Sequence, residues 1–583
     1  MLSVIKNNSS SLIAFFAQLL LILTAFYEML FSDAFFGPYL CILVLAVICL
    51  FLNYSSAFTL TSNKIGVILG FSVLFSLMIT CANYSLWESG GIVNIVLCIV
   101  NLIGSFCAWG NILLWVALNM NRLIWKTTTG TQYPIYVFWI TFVIIAGINL
   151  TVLFLCKYPG NLSPDSIDQM TQLTNNVYSN HHPFWHTLTI KALVSIGYRV
   201  FSDINAAVAV FSCFSVLIMA TVFAISTKTL AELSAPRWMI VLLVLFYAFM
   251  PYHIMYSMTM WKDVFYGAAI LLFIVSFFRC ITCMHGTKLN YVCFVLASVG
   301  VCLYRSNGFF VFIFSTLFFI MLWKGSNKKI LFSMLGVIIG CFILKHPVLN
   351  ALNVSQPDLV ESLSIPVQQI SRDVIENDDF TEEQLRILNE IVDVNEIPNA
   401  YASYISDPIK ELIRERNNQN EIKQNLKKYV SLYFSRLLMH PSSYVKAWID
   451  QTKGYWNSGY PYWYWANEVR PHKLGIERKV YSLKMNSLFD HYLYVFSNNY
   501  LLRIFLSIGF FDWLILIALC IGIVRHDKIV IMLTIPVIMN VVSLLIATPV
   551  FSEMRYNYCV FCSLPIILIL SFRDRSSEIS GEF

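Results

Sequence analysis

Two acidic residues and three histidines lie close together in one polar stretch of a chain that is otherwise mostly apolar. The stretch runs from residue 157 to residue 186, and its reactive side chains are Asp165, Asp168, His181, His182 and His186. A carboxylate can take a proton from a hydroxyl group, and an imidazole can hydrogen-bond a phosphate or a sugar hydroxyl. Polar groups beside apolar membrane segments are costly to keep and usually functional, so this stretch is the candidate site.

Asp165 has two interpretations. The Pro-Gly pair at 159–160 and Pro164 end the preceding helix, and Ser-Pro-Asp-Ser is a good helix start. Asp165 could therefore be the N-cap of a helix that begins near Ile167. It could equally be a general base, and the two roles are compatible. We favour Asp165 for the base, with Asp168 as the competing candidate.

The histidines leave three alternatives open. His182 and His186 are four residues apart, so their rings share one face of a helix that starts early enough to include both. Pro183 suits the first turn of such a helix. Two of these histidines could bind a metal ion together with Asp165, they could hydrogen-bond a phosphate or sugar, or they could be structural. We predict that at least one of them contacts a ligand.

Three basic residues stand next to apolar segments farther along the chain. Lys262 precedes Asp263 at the start of one segment, Arg305 lies between two segments, and Arg555 follows Glu553 in another turn. Singly, they suit a helix-capping ion pair or cations that reach toward the membrane surface. Together on one face, they suit the phosphate or diphosphate of a lipid headgroup.

Composition indicates a membrane protein. Of the 583 residues, 58% are hydrophobic and only 12% are charged, and the mean hydropathy is +0.67. A soluble protein of this length could not cover its surface with so few charges. The net charge of +6 comes without a dense basic run, so no nucleic-acid partner is predicted. The region 346–500 has no cysteine, which argues against a disulfide-stabilised or Cys-rich zinc domain.

Apolar runs predict an all-α polytopic membrane protein with about fourteen transmembrane helices. The runs are 12–31, 36–53, 65–82, 95–119, 133–156, 204–226, 237–256, 264–280, 289–304, 307–323, 329–345, 501–524, 528–547 and 556–571. Residues 186–200 are amphipathic and suit the membrane interface. The positive-inside rule then makes both termini cytoplasmic and places every candidate site residue on the opposite face.

The same prediction divides the chain into four parts. Residues 1–125 form an N-terminal module of four membrane helices, and 126–345 form a membrane core that includes the polar loop 157–186. Residues 346–500 form a mostly helical extracytoplasmic domain, and 501–583 hold the last membrane helices and a short cytoplasmic tail. No P-loop and no G-x-S-x-G motif is present, which argues against a nucleotide-driven pump and an α/β-hydrolase.

Several motifs, taken as a set, resemble an uncharacterised bacterial branch of the GT-C superfamily of membrane glycosyltransferases. They are Tyr158-Pro-Gly-x-x-Ser-Pro-Asp-Ser, Ser179-Asn-His-His-Pro, Trp261-Lys-Asp, Tyr304-Arg-Ser-Asn-Gly, Ile365-Pro-Val-Gln-Gln and Arg555-Tyr. The resemblance covers about residues 130–570. In many relatives the acidic loop follows the first span, whereas here four further spans, in residues 1–125, precede the span before the loop.

The resemblance implies a specific chemistry. Asp165 would activate an acceptor hydroxyl, Lys262, Arg305 and Arg555 would stabilise the departing phosphate, and Gln368 and Gln369 would hydrogen-bond sugar hydroxyls. The donor would be a polyprenyl-phosphate-linked sugar, the acceptor a cell-envelope glycan, lipid or protein, and the location the outer face of a bacterial plasma membrane. No cofactor is predicted with certainty, and a divalent metal, used in some branches, is retained as a candidate.

Two other functions compete with glycosyl transfer. A flippase or exporter of lipid-linked glycans would need charged residues deep in several spans, and the sequence offers few of them. A polysaccharide polymerase shares the topology and the outward-facing arginines, but a carboxylate base in the first large loop argues against it. The sequence therefore favours the transferase.

Overall fold

The computed structural model describes residues 9–32, 37–54, 60–88, 90–127, 135–282, 284, 287–322, 328–416, 418–460, 467–471 and 473–574. Within these ranges the regular structure is helical, and extended segments pair only as isolated single-residue bridges. The expected all-α class is therefore confirmed for the part of the chain that the structure describes.

The first part of the chain holds the helices that correspond to the predicted N-terminal module and membrane core. They are α1 (Ser9–Ser32), α2 (Gly37–Tyr54), α3 (Ser62–Ala82), α4 (Ile92–Leu118), α5 (Met120–Leu123), α6 (Ile135–Leu155), α7 (Pro164–Asn175), α8 (Phe184–Phe201), α9 (Ile204–Glu232), α10 (Arg237–Phe249), α11 (Pro251–Ser257), α12 (Lys262–Ile281), α13 (Thr287–Tyr304), α14 (Gly308–Leu322) and α15 (Lys328–Lys345).

Shorter helices follow, and three long apolar helices close the chain. They are α16 (Pro347–Ala351), α17 (Ser364–Glu376), α18 (Glu382–Asn389), α19 (Ile397–Ala400), α20 (Asp407–Glu415), α21 (Gln419–Gln424), α22 (Leu426–Met439), α23 (Pro441–Trp456), α24 (Leu483–Asn498), α25 (Ile508–Val524), α26 (Lys528–Ile546) and α27 (Tyr558–Ser571). Single 3-10 turns occupy Tyr84–Leu86, Leu359–Leu363, Val394–Glu396, Leu502–Leu506 and Met554–Asn557.

Many of these helices suit a membrane. Among the described residues, nine are long and apolar enough to cross one, and the pair α10 and α11, bent by 54°, would make a tenth. Four shorter apolar helices lie at Leu12–Tyr27, Lys288–Tyr304, Gly308–Leu322 and Ile508–Val524. Each of the fourteen predicted runs overlaps one of these helices. The protein is thus a multi-pass helical membrane protein, and the count of fourteen spans stays a prediction.

Helix α12 forms the centre of the bundle. Of its most apolar 18 residues, 89% are buried, against 22% for the helix that contains α15. It packs against α9, α13 and α27, and this packing fixes the position of its first residue, Lys262. The ring of Trp513 of α25 lies 5.2 Å from the ring centroids of Phe75 and of Trp109, so the N-terminal helices pack directly on the C-terminal ones.

The region from α16 to α24 is mostly helical, as predicted, and has a hydrophobic core of its own around Val360, Ile397 and Ile409. It is also tied to the loop between α26 and α27. The backbone N–H of Ser406 and the amide of Gln451 both donate to the carbonyl of Val550, at 3.2 and 3.1 Å. These bonds restrain the loop segment that leads to Arg555.

Candidate functional site

The polar loop before α7 is fixed by backbone hydrogen bonds on both edges. Asn161 donates to the carbonyl of Met258 at 2.9 Å, and the N–H of Met260 donates back to Asn161 at 3.1 Å. On the other edge, Leu162 donates to Glu468 at 3.1 Å. Backbone N–H and C=O groups that are shielded from water need such partners. The start of α7 is therefore firmly placed beside the start of α12.

Asp165 lies in the first turn of α7, and it is not the N-cap. The helix begins at Pro164 with Ser163 as its N-cap residue, three positions earlier than the start near Ile167 that the sequence suggested. The hydroxyl of Ser166 accepts the N–H of Ser163 at 3.2 Å and donates to the carbonyl of Met260 at 2.8 Å. The serines perform the capping, which leaves the carboxylate of Asp165 for other contacts.

Two cations converge on one oxygen of Asp165. Its Oδ2 accepts a hydrogen bond from Nη1 of Arg555 at 2.9 Å and another from Nζ of Lys262 at 3.4 Å. Nδ1 of His182 is 3.8 Å from the same oxygen. Burial by itself raises the pKa of Asp165, but the charges of Arg555 and Lys262 outweigh it and hold the pKa well below its usual value. The carboxylate is therefore ionised and tightly paired.

Arg555 is held by three further groups. Its Nε donates to Oε2 of Glu553 at 2.7 Å, and its Nη2 donates to the hydroxyl of Tyr556 at 2.9 Å. The guanidinium also lies over the ring of Trp261, 5.2 Å from the centroid. Burial raises the pKa of Glu553, while its pairing with Arg555 opposes that rise. These independent contacts together orient the guanidinium of Arg555 toward Asp165.

His182 supports Lys262 as a neutral acceptor. Nζ of Lys262 lies 2.9 Å from Nδ1 of His182, and since an ammonium group can only donate, Nδ1 must accept and the ring proton is assigned to Nε2. Burial and the nearby positive charge lower the pKa of His182 to about 2. Nε2 lies 3.6 Å from Oδ2 of Asp168, which is half exposed and also accepts from Gln172 at 2.9 Å. Among the described residues, the contact of Asp168 with the cluster is therefore through His182.

The other two histidines have different surroundings. His181 packs edge-on against His182, with ring centroids 4.6 Å apart. His186 is fully buried, its Nδ1 is 3.1 Å from Oε1 of Gln169, and burial lowers its pKa to about 3. Because α8 begins at Phe184, His182 precedes the helix, and the shared helix face considered for His182 and His186 does not form. His186 is surrounded instead by the rings of Phe211, Phe265 and Tyr304.

Arg305 and Asp263 form a buried ion pair behind the cluster. Nη1 of Arg305 donates to Oδ1 of Asp263 at 2.6 Å and to the carbonyl of Tyr556 at 3.1 Å. Its guanidinium lies 4.9 Å from the ring centroid of Tyr556 and 5.7 Å from that of Tyr266. Arg555 also stacks on Tyr556, at 4.8 Å. Arg305 therefore reaches the cluster by positioning Tyr556, whereas Arg555 contacts Asp165 directly.

Gln368 and Gln369 lie on α17 and are engaged within the region from α16 to α24. The amide of Gln368 donates to the carbonyl of Ala402 at 2.8 Å. Gln369 donates to the carbonyl of Tyr444 at 3.1 Å and accepts from the hydroxyl of Tyr433 at 2.5 Å. Both residues are buried, and these bonds join them to the region from α16 to α24 and not to the Asp165 cluster.

The structure thus brings together four of the sequence candidates, Asp165, His182, Lys262 and Arg555. We name them, together with Glu553, the Asp165 cluster. Sequence reasoning missed the support that Trp261 and Tyr556 give to it. Trp261 donates its indole N–H to Oγ of Ser163 at 2.6 Å while its ring contacts Arg555. The sequence feature that could have identified Trp261 and Tyr556 is their position in the motifs, where each stands directly beside a cation of the cluster.

A metal ion is not favoured by the arrangement. In the ranges that the structure describes, no group of three or more His, Cys, Asp or Glu side chains is placed to hold one. The carboxylate oxygen of Asp165 that would coordinate a metal already faces two positive charges, and Nδ1 of His182 faces one of them. A divalent cation here would be repelled by both.

The fold and the site define a class: a polytopic helical membrane protein with a compact cluster of paired charges where α7, α12 and the turn before α27 meet. The chain belongs to a family of unknown function (DUF6020), whose model matches residues 169–582. The matched region contains His182, Lys262 and Arg555 and begins four residues after Asp165. Comparison with curated proteins and with solved structures gives no match.

Proposed function

We propose that the protein is a membrane glycosyltransferase that moves a sugar from a polyprenyl-phosphate-linked donor to a cell-envelope acceptor. The observation that supports this is the pairing of one carboxylate in the first turn of α7, Asp165, with two cations, Arg555 and Lys262, beside apolar helices. A transferase of this kind needs a base for the acceptor hydroxyl and positive charge for the leaving phosphate. The Asp165 cluster contains both kinds of group within hydrogen-bonding distance.

The roles follow from the chemistry. Asp165 accepts the proton of the acceptor hydroxyl as its oxygen forms a bond to the anomeric carbon of the sugar. The bond between that carbon and the donor phosphate breaks, and the electron pair leaves with the phosphate. Arg555 and Lys262 stabilise the negative charge that develops there. Glu553 and His182 hold these cations in place, and Asp168 is the second candidate for the base.

The wider setting belongs to the same proposal. The architecture would be of the GT-C kind with about fourteen spans, in a bacterial plasma membrane, with both termini cytoplasmic and the Asp165 cluster at the outer face. The bent pair α10 and α11 would count as one span, and α8 would lie along the interface. The lipid part of the donor would then reach the cluster from the bilayer, which the apolar helices make a plausible partner.

Sugar transfer by the purified protein tests this proposal. Wild-type protein and the variants Asp165→Asn and Asp168→Asn are incubated in detergent with a panel of polyprenyl-phosphate sugars and a cell-envelope extract as acceptor. We expect transfer by wild type, its loss in Asp165→Asn, and a smaller decrease in Asp168→Asn. Full activity of a folded Asp165→Asn protein would refute the assignment of the base. No transfer with any donor, together with movement of labelled lipid-linked glycan across reconstituted vesicles, would favour a flippase instead.

A further inference from the structure

The hydrogen bonds of Asp165 are unusual for a free general base. Arg555 and Lys262 both donate to Oδ2, and in the described part of the chain they are the only side chains that donate to this carboxylate. Two donors of positive charge on one oxygen resemble the way proteins bind a phosphate oxygen. A base paired in this way is weak, because both cations stabilise its charged form.

The two cations do not depend on Asp165 for their positions. Arg555 is held by Glu553 and Tyr556 at 2.7 and 2.9 Å, and Lys262 is held by His182 at 2.9 Å. Asp165 sits in the first turn of α7, and the capping of that turn is done by serines. If its carboxylate moved away, the cations would remain where they are.

The charges of the cluster balance without any ligand. Arg555 and Lys262 carry two positive charges, and Asp165 and Glu553 carry two negative ones when ionised. An added phosphate would place extra negative charge among groups that are mostly buried. Like charges at such distances repel strongly where the local dielectric constant is low. The ligand phosphate and the carboxylate of Asp165 must therefore compete for the same two cations.

We propose that Asp165 occupies the phosphate site of the resting protein, and that the phosphate of a sugar-bearing phosphodiester, on binding to Arg555 and Lys262, displaces its carboxylate and frees it to act as the base. The second half rests on the proposed function, and the first half does not. The exchange is non-covalent: one anion replaces another on the same donors. In the transfer step that follows, the freed carboxylate takes the hydroxyl proton and the bound phosphate leaves with the electron pair of the sugar–oxygen bond.

Displacement by a phosphate would explain how a carboxylate with a lowered pKa can act as a base. While the cations face Asp165, its pKa is held below the usual range after the opposing effect of burial is overcome. Once a phosphate shares those cations, their effect on the carboxylate weakens and its pKa rises. The base would thus become effective only when the donor is bound.

Phosphate binding by variants of Asp165 tests the proposal. Isothermal titration of detergent-solubilised protein would use two probes, inorganic phosphate and farnesyl phosphate, against wild type, Asp165→Asn and Asp165→Ala. We expect both variants to bind phosphate about tenfold more tightly than wild type, equivalent to about 1.4 kcal/mol. Arg555→Gln should abolish the binding. A gain for both probes would identify a phosphate site, and a gain for farnesyl phosphate alone would identify a site that requires a lipid phosphate.

Asp407→Asn is a matched control for the loss of one negative charge. Asp407 is about half exposed and lies on α20, and its partner Lys410 keeps a second acid, Glu361, at 3.3 Å. This variant should bind the probes as wild type does. Equal or weaker phosphate binding by folded Asp165→Asn and Asp165→Ala would overturn the proposal. A gain in binding without any sugar transfer by wild type would leave the phosphate site standing and refute the proposed function instead.

Discussion

The buried pair of Arg305 and Asp263 gives a prediction that does not depend on any substrate. The two side chains are 6% and 1% exposed, and the Nη1–Oδ1 distance is 2.6 Å. Breaking a buried pair by removing one partner leaves an uncompensated charge and costs about 3–5 kcal/mol. We therefore expect Asp263→Ala and Arg305→Met each to lower the free energy of unfolding by about that amount.

The double variant should behave differently. When both charges are replaced by apolar side chains, no buried charge remains, and such replacements are often close to neutral. Oδ2 of Asp263 has no hydrogen-bond partner among the described residues, so the native pair is itself incompletely satisfied. Asp263→Ala combined with Arg305→Met should therefore be more stable than either single variant, at a cost of about 1–2 kcal/mol that reflects the small cavity left by alanine.

An unfolding titration in mixed micelles with increasing dodecyl sulfate, followed by tryptophan fluorescence, measures these differences. The double-variant cycle then isolates the coupling between the two positions. A coupling of several kcal/mol would agree with the geometry. If the effects of the single variants simply added in the double variant, the view of Arg305 and Asp263 as one buried supporting pair would be refuted.

Further predictions concern the cluster and its supports. Arg555→Gln should lower kcat/KM for sugar transfer by about 10²–10³. Arg555→Lys should keep only part of the wild-type activity, because an ammonium group lacks the planar set of donors of a guanidinium. A decrease below tenfold for Arg555→Gln would contradict the role of Arg555 in stabilising the leaving phosphate. Because the pKa of His182 is about 2, the rate between pH 5.5 and 8 should show no step from this residue, so a step in wild type that disappears in His182→Asn would contradict its neutral state. The folded-state pKa of His186, about 3, lies below the usual 6.5, so the unfolded chain binds a proton that the folded protein cannot. Its contribution to stability is complete above pH 6.5 and falls as the pH decreases; from pH 6.5 to pH 5 wild type should lose about 2 kcal/mol more than His186→Gln, and equal losses in the titration would contradict this. Gly160→Ala should disrupt the polar loop and reduce transfer, since φ is +127° there and a Cβ would lie 2.1 Å from Oγ of Ser212; wild-type transfer by this variant would contradict the rigid loop.

The helical class and the side-by-side placement of distant residues were predictable from the sequence. Hydrophobic length and loop charges put Asp165, Lys262 and Arg555 on one face, although the pairs are 97 and 390 residues apart in the chain. Those patterns could not predict the direction in which each side chain points. Arg305 and Arg555 look alike as arginines in turns between apolar helices, yet one points behind Tyr556 and the other at Asp165. That difference depends on side-chain packing, which residue type and spacing do not specify.

The histidines show this limit of sequence-based prediction more clearly. Their spacing permitted a shared helix face, but the outcome depended on whether α8 started before His182 or after it. The helix begins at Phe184, and this places His182 beside Lys262 and turns His186 into the protein interior. A shift of one short segment thus separates a residue of the site from a residue of the core, and boundaries are the part of a sequence-based prediction with the lowest precision.

The pairing of Asp165 also answers a physical difficulty of any phosphate site next to a membrane. Two cations held ready in a mostly buried setting would be costly if nothing balanced them while the site was empty, because charges lose their hydration there. Glu553 balances one of them when it is ionised, and its contact with Nε leaves Nη1 of Arg555 to donate to Asp165. His182 supports Lys262 without adding charge. One further negative charge is needed to balance the two cations, and Asp165 supplies it. Apart from these two cations, no side chain in the described structure donates a hydrogen bond to the carboxylate of Asp165. An anion that a ligand can replace requires this arrangement.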